Sequence, residues 1–336
     1  MTNHIVLLAG DIGGTKTNFG LYVPIKSQWT TFAEETYPSK NYPDFEHLIS
    51  DFLQKYSNPQ VSAACFGVAG PVVNESCKTT NLPWVVDTSE LQQLLNCNAV
   101  SLINDMQAQG LGIFTLPPQD LVALTPLEVL PKLGNKAVIA AGTGLGETLL
   151  YWDGNAFKST ASEGGAVEFA PRGKLQMELL SYLSGRFNHV SYERVLSGQG
   201  LLNIYSFLRE SGYGEEPTWL KERLDTSKNP SATISTIALA NENPLCVETL
   251  DLFAAIYGAE AGNLALTFMA LGGIYVGGGI AYKIIDKLKD GTFLRAFYDK
   301  GTFSDLMTSI PVYVISNPKV GLWGAVQQAK SSLIIN

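Results

Sequence analysis

Cysteine and histidine are scarce: 336 residues carry four cysteines and three histidines. Cys65, Cys77, Cys97 and Cys246 show no C-x-x-C spacing and have no histidine nearby. That argues against a zinc site and against a disulfide framework. Reduced thiols in the cytoplasm are the expectation. His4, His47 and His189 stand beside no glycine loop and no candidate acid, so a Ser-His-Asp mechanism has no base. Charge is also thin. Charged residues make up 16%, too few for a disordered or coiled-coil chain. The net charge of −8 weighs against nucleic acid and anionic membranes as partners and favours a small molecule. Local anion binding stays open, because backbone N–H groups need no basic side chain. A long apolar run is missing too. The most membrane-like stretch, AAIYGAEAGNLALTFMALGGIYVGGG from Ala254, is interrupted by Glu260 and Asn263. It reads as a buried helix followed by a buried strand. MTNHIVLLAGD has no basic n-region and reads as a first strand, not a signal peptide.

What is present is a chain with 46% hydrophobic residues, long enough for two lobes. IVLLAG (5–10), TNFGLYV and WTTFAEETY read as three strands joined by turns. Pro43 then opens a helix whose apolar face is Phe45, Leu48, Ile49, Phe52, Leu53 and Tyr56. VSAACFGVAG and AVSLI (99–103) are further strands, with a helix around SELQQLL between them. Strands alternating with helices predict a mostly parallel sheet. LPPQDLVALTP (116–126) is a crossing point between lobes. Beyond it, KAVIAAGTGLGETLLYW repeats the pattern of HIVLLAGDIGGTKTNFGLYV, as an internal duplication would. Helices are expected near 173–184, 197–210, 247–270 and 280–289, a strand in GGIYVGGG, another in PVYVIS, and a closing helix in GLWGAVQQAKSSL.

Three glycine clusters follow apolar strands: GDIGGTKT, AAGTGLGE and YVGGGIAY. Each could be an ordinary turn, or a place where backbone approaches an anion. GDIGGTKT nearly fits the mononucleotide P-loop, but Thr15 replaces its second glycine and a strand, not a helix, follows. A β-hairpin whose tip grips phosphate with N–H groups and hydroxyls fits better. Two such hairpins, one per lobe, would clamp a polyphosphate. That is the arrangement of the sugar kinase, heat-shock chaperone and actin superfamily. Asp11 would then face phosphates and hold Mg2+ directly or through water.

Among the acids, Asp105 follows strand AVSLI in SLINDMQAQGLG. It is either a helix N-cap or a general base for an attacking hydroxyl. Glu163 precedes two glycines and Glu193 stands at a helix start. Each is either a solvated carboxylate or an acceptor for polyol hydroxyls.

These segments together resemble the bacterial glucokinase family of the type without the zinc-binding cysteine motif. The segments are GDIGGTKTNFGLY, FGVAGPV with TNLPW, LINDMQA, GTGLGETLL, EGGAVEFAPR, YERVLSGQGLLNIY and GGIYVGGGI. The resemblance implies a two-lobed actin-like ATPase (ribonuclease H-like) α/β fold. A small domain of residues 1–116 with about 317–336 would close on a large domain of 117–316. It implies ATP-dependent phosphorylation of glucose at its 6-hydroxyl, with Mg2+, in a cytoplasmic homodimer. Asp105 would be the base, and Asn81, Asn104, Asp105, Glu163 and Glu193 would lie on the sugar. Gly10, Asp11, Ile12, Gly13, Gly14, Thr15, Gly142, Thr143 and Gly144 would form the phosphate motifs, and Gly277 and Gly278 would lie near the adenosine. One departure is visible: the family's EGGH is EGGA here, so Ala166 replaces a sugar-contacting histidine. Weaker glucose binding, another hexose or aminosugar, or a compensating group are the alternatives. Two other classes compete: a sugar-responsive regulator on this fold, and a chaperone-like or actin-like ATPase. Neither a helix-turn-helix before the first strand nor a peptide-binding domain after the last helix is read in the sequence.

Overall fold

The computed structural model describes residues 5–26 and 28–334, so His4 and the outermost residues of the expected small domain lie outside the described residues. The first strand, β1 (Leu7–Ile12), turns at residues 13–15 into β2 (Lys16–Ile25), which pairs antiparallel with β3 (Gln28–Pro38). The helix expected from Pro43 is α1 (Phe45–Lys55). Its N-cap is Asp44, whose carboxylate accepts the His47 N–H at 2.9 Å. Then come β4 (Ala63–Val68), a small ribbon of β5 (Ser76–Lys78) and β6 (Val85–Asp87), α2 (Thr88–Leu95), β7 (Val100–Asn104) and α3 (Asp105–Gly112). The first sheet runs β3-β2-β1-β4-β7, antiparallel at the meander and parallel from β1 onward. One face is covered by an aromatic cluster. Phe19 stacks on Phe45 and Phe52 at 5.7 and 5.2 Å, and Phe66 meets Phe45 edge-on. Each fully buried ring contributes about 1.5–3 kcal/mol of transfer free energy.

The second sheet repeats the device. Edge strand β8 (Leu121–Ala123) precedes β9 (Lys136–Ala141), β10 (Leu145–Trp152) and β11 (Phe157–Thr160). Helices α4 (Gly173–Ser184), α5 (Gly198–Glu210), α6 (Thr218–Asp225), α7 (Pro230–Leu239) and α8 (Pro244–Thr267) lead to β12 (Ile274–Gly277). After short helices α9 (Gly278–Ala281), α10 (Ile285–Lys289), α11 (Thr292–Tyr298) and α12 (Ser304–Thr308), β13 (Val312–Ile315) and α13 (Val320–Ile334) finish the fold. The order is β11-β10-β9-β12-β13-β8. The two sheets share a strand–hairpin–hairpin meander followed by two parallel strands, which is the internal repeat expected from the glycine loops. The continuous helix expected over 280–289 is broken, because Ile284 adopts φ −108°, ψ 24° between the pieces. α8 and β12 are the buried helix and strand expected from the apolar stretch, and no described helix is long and apolar enough to cross a membrane.

α3 and α13 lie between the sheets. Met106 packs with Val138, Ala140 and Tyr275 of the second sheet, while Leu322, Ala325, Val326 and Ala329 of α13 pack on Leu7 and Ala9 of β1. The two helices cross backbone to backbone. A Cβ on Gly324 would stand 1.7 Å from the Ala108 carbonyl, and one on Gly112 would stand 2.0 Å from that of Val320. Only glycine permits that approach.

Candidate active site

Between the sheets lies a cavity of about 590 Å³. Both hairpin tips reach it: Gly13, Gly14 and Thr15 from the first, and Gly142, Thr143 and Gly144 from the second. The first tip is closed by a Gly13 N–H to Lys16 carbonyl bond of 3.0 Å, the second by a Gly142 N–H to Gly144 carbonyl bond of 2.8 Å. No helix follows either tip, as the hairpin reading requires. Gly278 and Gly279 line the same cavity from the end of β12. Gly278 has φ +83° and sits against the Ala141 backbone, where a Cβ would stand 2.2 Å from the carbonyl oxygen.

Some residues of the phosphate motifs do not line the cavity. Gly10 faces the aromatic core, where a Cβ would meet Phe66 and Phe19, and the Ile12 side chain is buried among the same apolar residues. Strand alternation sends these positions away from the cleft. Gly277 is packed beneath the lining, against Gln109, Ala140 and Ile315. Asp11 also stands behind the tip. Its carboxylate accepts from Asn18 at 3.4 Å and faces the first turn of α13, where a Cβ on Gly321 would lie 3.3 Å away. Burial pushes its pKa up, against the pull of Asn18 and Lys16.

Asp105 lines the cavity at the first position of α3. The cap belongs to its neighbour: Asn104 accepts the Met106 N–H at 2.8 Å, and Gln107 reaches back to the Asn104 N–H at 3.1 Å. The N-cap alternative for Asp105 therefore falls, and its carboxyl is left to face the cleft. It accepts the neighbouring Met106 N–H at 2.9 Å. Burial, then the Asp11 and Glu163 carboxylates, push its pKa up to about 7. Asn104 is buried, with its amide donating to the Gly70 carbonyl at 3.1 Å.

Asn81, Glu163 and Glu193 line the same cavity. Asn81 packs on Gly14 at the first hairpin tip. Glu163 precedes the 3-10 turn Gly164–Ala166 and is exposed to the cleft. Glu193 lies in a second 3-10 turn, Tyr192–Arg194, rather than in a helix, and Ser197 caps α5 instead. Its carboxylate accepts the Leu145 N–H at 3.0 Å, directly after the second tip. At Ala166 the carbonyl accepts a 2.7 Å bond from His189 Nε2.

Sequence reading missed three features of this site. Ser39 and Lys40 dock beside the first tip, with Lys40 lining the cavity. The register carried a signal: Lys16 pairs with Pro38, so the chain leaving β3 must emerge at the tip of the β1–β2 hairpin. Glu147 on β10 is the third. It is buried behind the Gly164–Ala166 turn, its Oε1 has no hydrogen-bond partner among the described residues, and burial with the nearby Glu260 raises its pKa to about 8.

Paired glycine hairpins on duplicated sheets, with an acid at a helix start between them, belong to an actin-like ATPase fold of the sugar kinase class. The chain belongs to the glucokinase family, whose family model matches residues 8–332. It is 43% identical to the glucokinase of Nostoc punctiforme over 333 residues, covering 95% of this chain and 97% of that protein. Among solved structures, it is similar to glucokinase from an Antarctic psychrotroph, at TM-score 0.83 and 28% identity, with 98% and 100% of the two chains covered. The fold is also shared with a ROK family glucokinase from Streptomyces griseus in complex with glucose and AMPPNP, at TM-score 0.64 and 20% identity, over 97% of this chain and 99% of that one.

Proposed function

We propose that this chain transfers the γ-phosphoryl group of ATP to the 6-hydroxyl of glucose, with Asp105 as general base. The observation that carries the reading is the position of Asp105. It is half-buried, freed from capping by Asn104, and shares one cavity with both hairpin tips. A carboxyl with its pKa near 7 is matched to taking a proton at neutral pH. The hydroxyl proton passes to Asp105 as the O6–P bond forms. The bond from phosphorus to the β-phosphate oxygen breaks, and ADP keeps that electron pair. Asn81, Asn104, Glu163 and Glu193 hold sugar hydroxyls. The tips at Gly13–Thr15 and Gly142–Gly144 hold phosphates, and Gly278 with Gly279 borders the adenosine.

Among the described residues no group of three or more His, Cys, Asp or Glu side chains forms a metal cage. Mg2+ is held by one or two carboxylates plus substrate phosphates. Asp11, just behind the first tip, is the residue that would hold it, directly or through water, where it would neutralise phosphate charge. The division into a small domain of 1–116 with 317–336 and a large domain of 117–316 is supported by the packing of α13 on β1. Closure of one on the other would exclude water. We assign the chain to the cytoplasm as a homodimer on the family resemblance, with the four buried free thiols in agreement.

The test is ADP release over a panel of hexoses and N-acetylhexosamines. Glucose is expected to give the highest kcat/KM, rising with pH to a plateau above about 7. Asp105→Asn is expected to lower kcat by about 10²–10⁴. Sugar-independent ADP release, or an undiminished variant, would overturn the reading. Ala166 supports a second reading, another hexose or an aminosugar, which the same panel separates.

A further inference from the structure

The cavity is lined by Asp105, Glu163 and Glu193, with Asp11 close behind. Those acids suit hydroxyls and a divalent cation, but they repel the phosphoryl group that must move among them. Among the described residues, Lys40 is the only cationic side chain lining the cavity. It stands on the 3-10 turn Ser39–Asn41, where the chain leaves β3.

That turn is fastened to the first phosphate tip. The Ser39 N–H donates to the Thr15 carbonyl at 3.1 Å, and its hydroxyl donates to the Gly13 carbonyl at 2.8 Å. The Ser39 hydroxyl also lies 3.0 Å from that of Thr17. Ser39 is fully buried while Lys40 is exposed, so the anchor is fixed and the lysine stem is free to reach. A lysine ammonium is a compact charge on a flexible stem, suited to following a group as it moves.

We propose that Lys40 contacts the phosphoryl group during its transfer and is a catalytic residue of this chain. The inference rests on the phosphotransfer reading above. Its ammonium neutralises charge on the non-bridging oxygens as the bond to ADP breaks and the bond to the sugar oxygen forms. The proton still goes to Asp105, and Lys40 keeps its own.

Two measurements test it on the full chain. In steady-state turnover, Lys40→Ala is expected to lower kcat about 10- to 100-fold while KM for glucose stays within about twofold. Lys40→Arg is expected to recover part of the loss. In equilibrium binding without sugar, Lys40→Ala is expected to weaken ATP severalfold and leave ADP within about twofold, because only ATP carries the γ-phosphate. Ser39→Ala, which loosens the anchor, is expected to shift both readouts the same way by less. A Lys40→Ala protein with the parent's kcat and the parent's ATP-to-ADP preference would overturn the proposal. If the parent turned over no hexose, the phosphotransfer reading would fail, while the ATP-to-ADP ratio would still decide whether Lys40 meets a γ-phosphate.

Discussion

The two glycine hairpins occupy equivalent places in duplicated sheets, yet they are held differently. The first tip is fastened by a serine hydroxyl from the end of β3, a segment that brings a cation. The second is fastened by an acid and a helix start: Leu145 donates to Glu193, and the Gly198 N–H donates to the Gly142 carbonyl at 2.9 Å. The difference continues down the ladders. Counting inward from the pairs Ile12–Thr17 and Ala141–Leu145, Phe19 on β2 and Glu147 on β10 take matching positions. Phe19 stacks into an aromatic core, whereas Glu147 is a buried carboxyl behind the Gly164–Ala166 turn, with an oxygen that has no partner among the described residues. One hairpin is tied to the chain leaving β3, and the other to Glu193 and the start of α5, so the same backbone device is held by two different attachments.

Between the two hairpins, the larger effect is expected at the second. Glu193→Ala removes a charge-assisted bond worth about 1.5–3 kcal/mol and should lower kcat/KM for glucose about 10- to 100-fold. It should also weaken ATP binding measured without sugar, because Leu145 loses its acceptor. If only the glucose KM moved, the wiring through Leu145 would be refuted. On the anchored side, Asp11→Ala should lower kcat about tenfold or more at saturating MgATP. Lys16→Ala, an exposed side chain outside the cavity lining, should stay within about threefold of the parent under the same conditions. The reverse order would restore the P-loop comparison.

A smaller effect is expected at the sugar-side turn. Ala166→His should lower KM for glucose severalfold, since one hydrogen bond contributes about 0.5–1.5 kcal/mol. An unchanged KM would mean that the missing imidazole does not limit affinity. The smallest effect concerns stability at Glu147. Its folded pKa is raised to about 8, so the folded state keeps a proton that the unfolded chain gives up as pH rises. Stability is lost from about pH 5 until about pH 8. Glu147→Gln removes that loss, so the variant's Tm should gain on the parent's across this range and run parallel to it above. A constant difference in Tm would show that Glu147 is not the titrating group.

Much of this site was legible in sequence because its chemistry sits in continuous segments. GDIGG and AAGTGLG announce hairpins, since a strand follows each loop, and LINDMQA places an acid where a strand ends. What stayed hidden depends on register and on long-range contact. The cap on α3 belongs to Asn104 because Gln107 completes it, a choice between adjacent residues that no propensity separates. Lys40 is far from every glycine loop in sequence and reaches the cleft only through the pairing of β2 with β3. Gly10 and Ile12 share a motif with Gly13 but face the core, because alternation along β1 divides them from the tip. Helices α6 and α7 were missed because their weak apolar faces become meaningful only against α5 and α8.

The packing of α13 on β1 also bears on how the molecule is made. A chain emerging from the ribosome displays Leu7 and Ala9 at the outset, but the helix that covers them comes only with residues 320–334. The second sheet and its helices are synthesised in between, at roughly 5–20 residues per second. The part translated first is therefore finished last, with one apolar face waiting throughout. Lesions in α13, such as a bulky residue at Gly324, should show as nascent-chain aggregation or chaperone dependence before they show as altered kinetics.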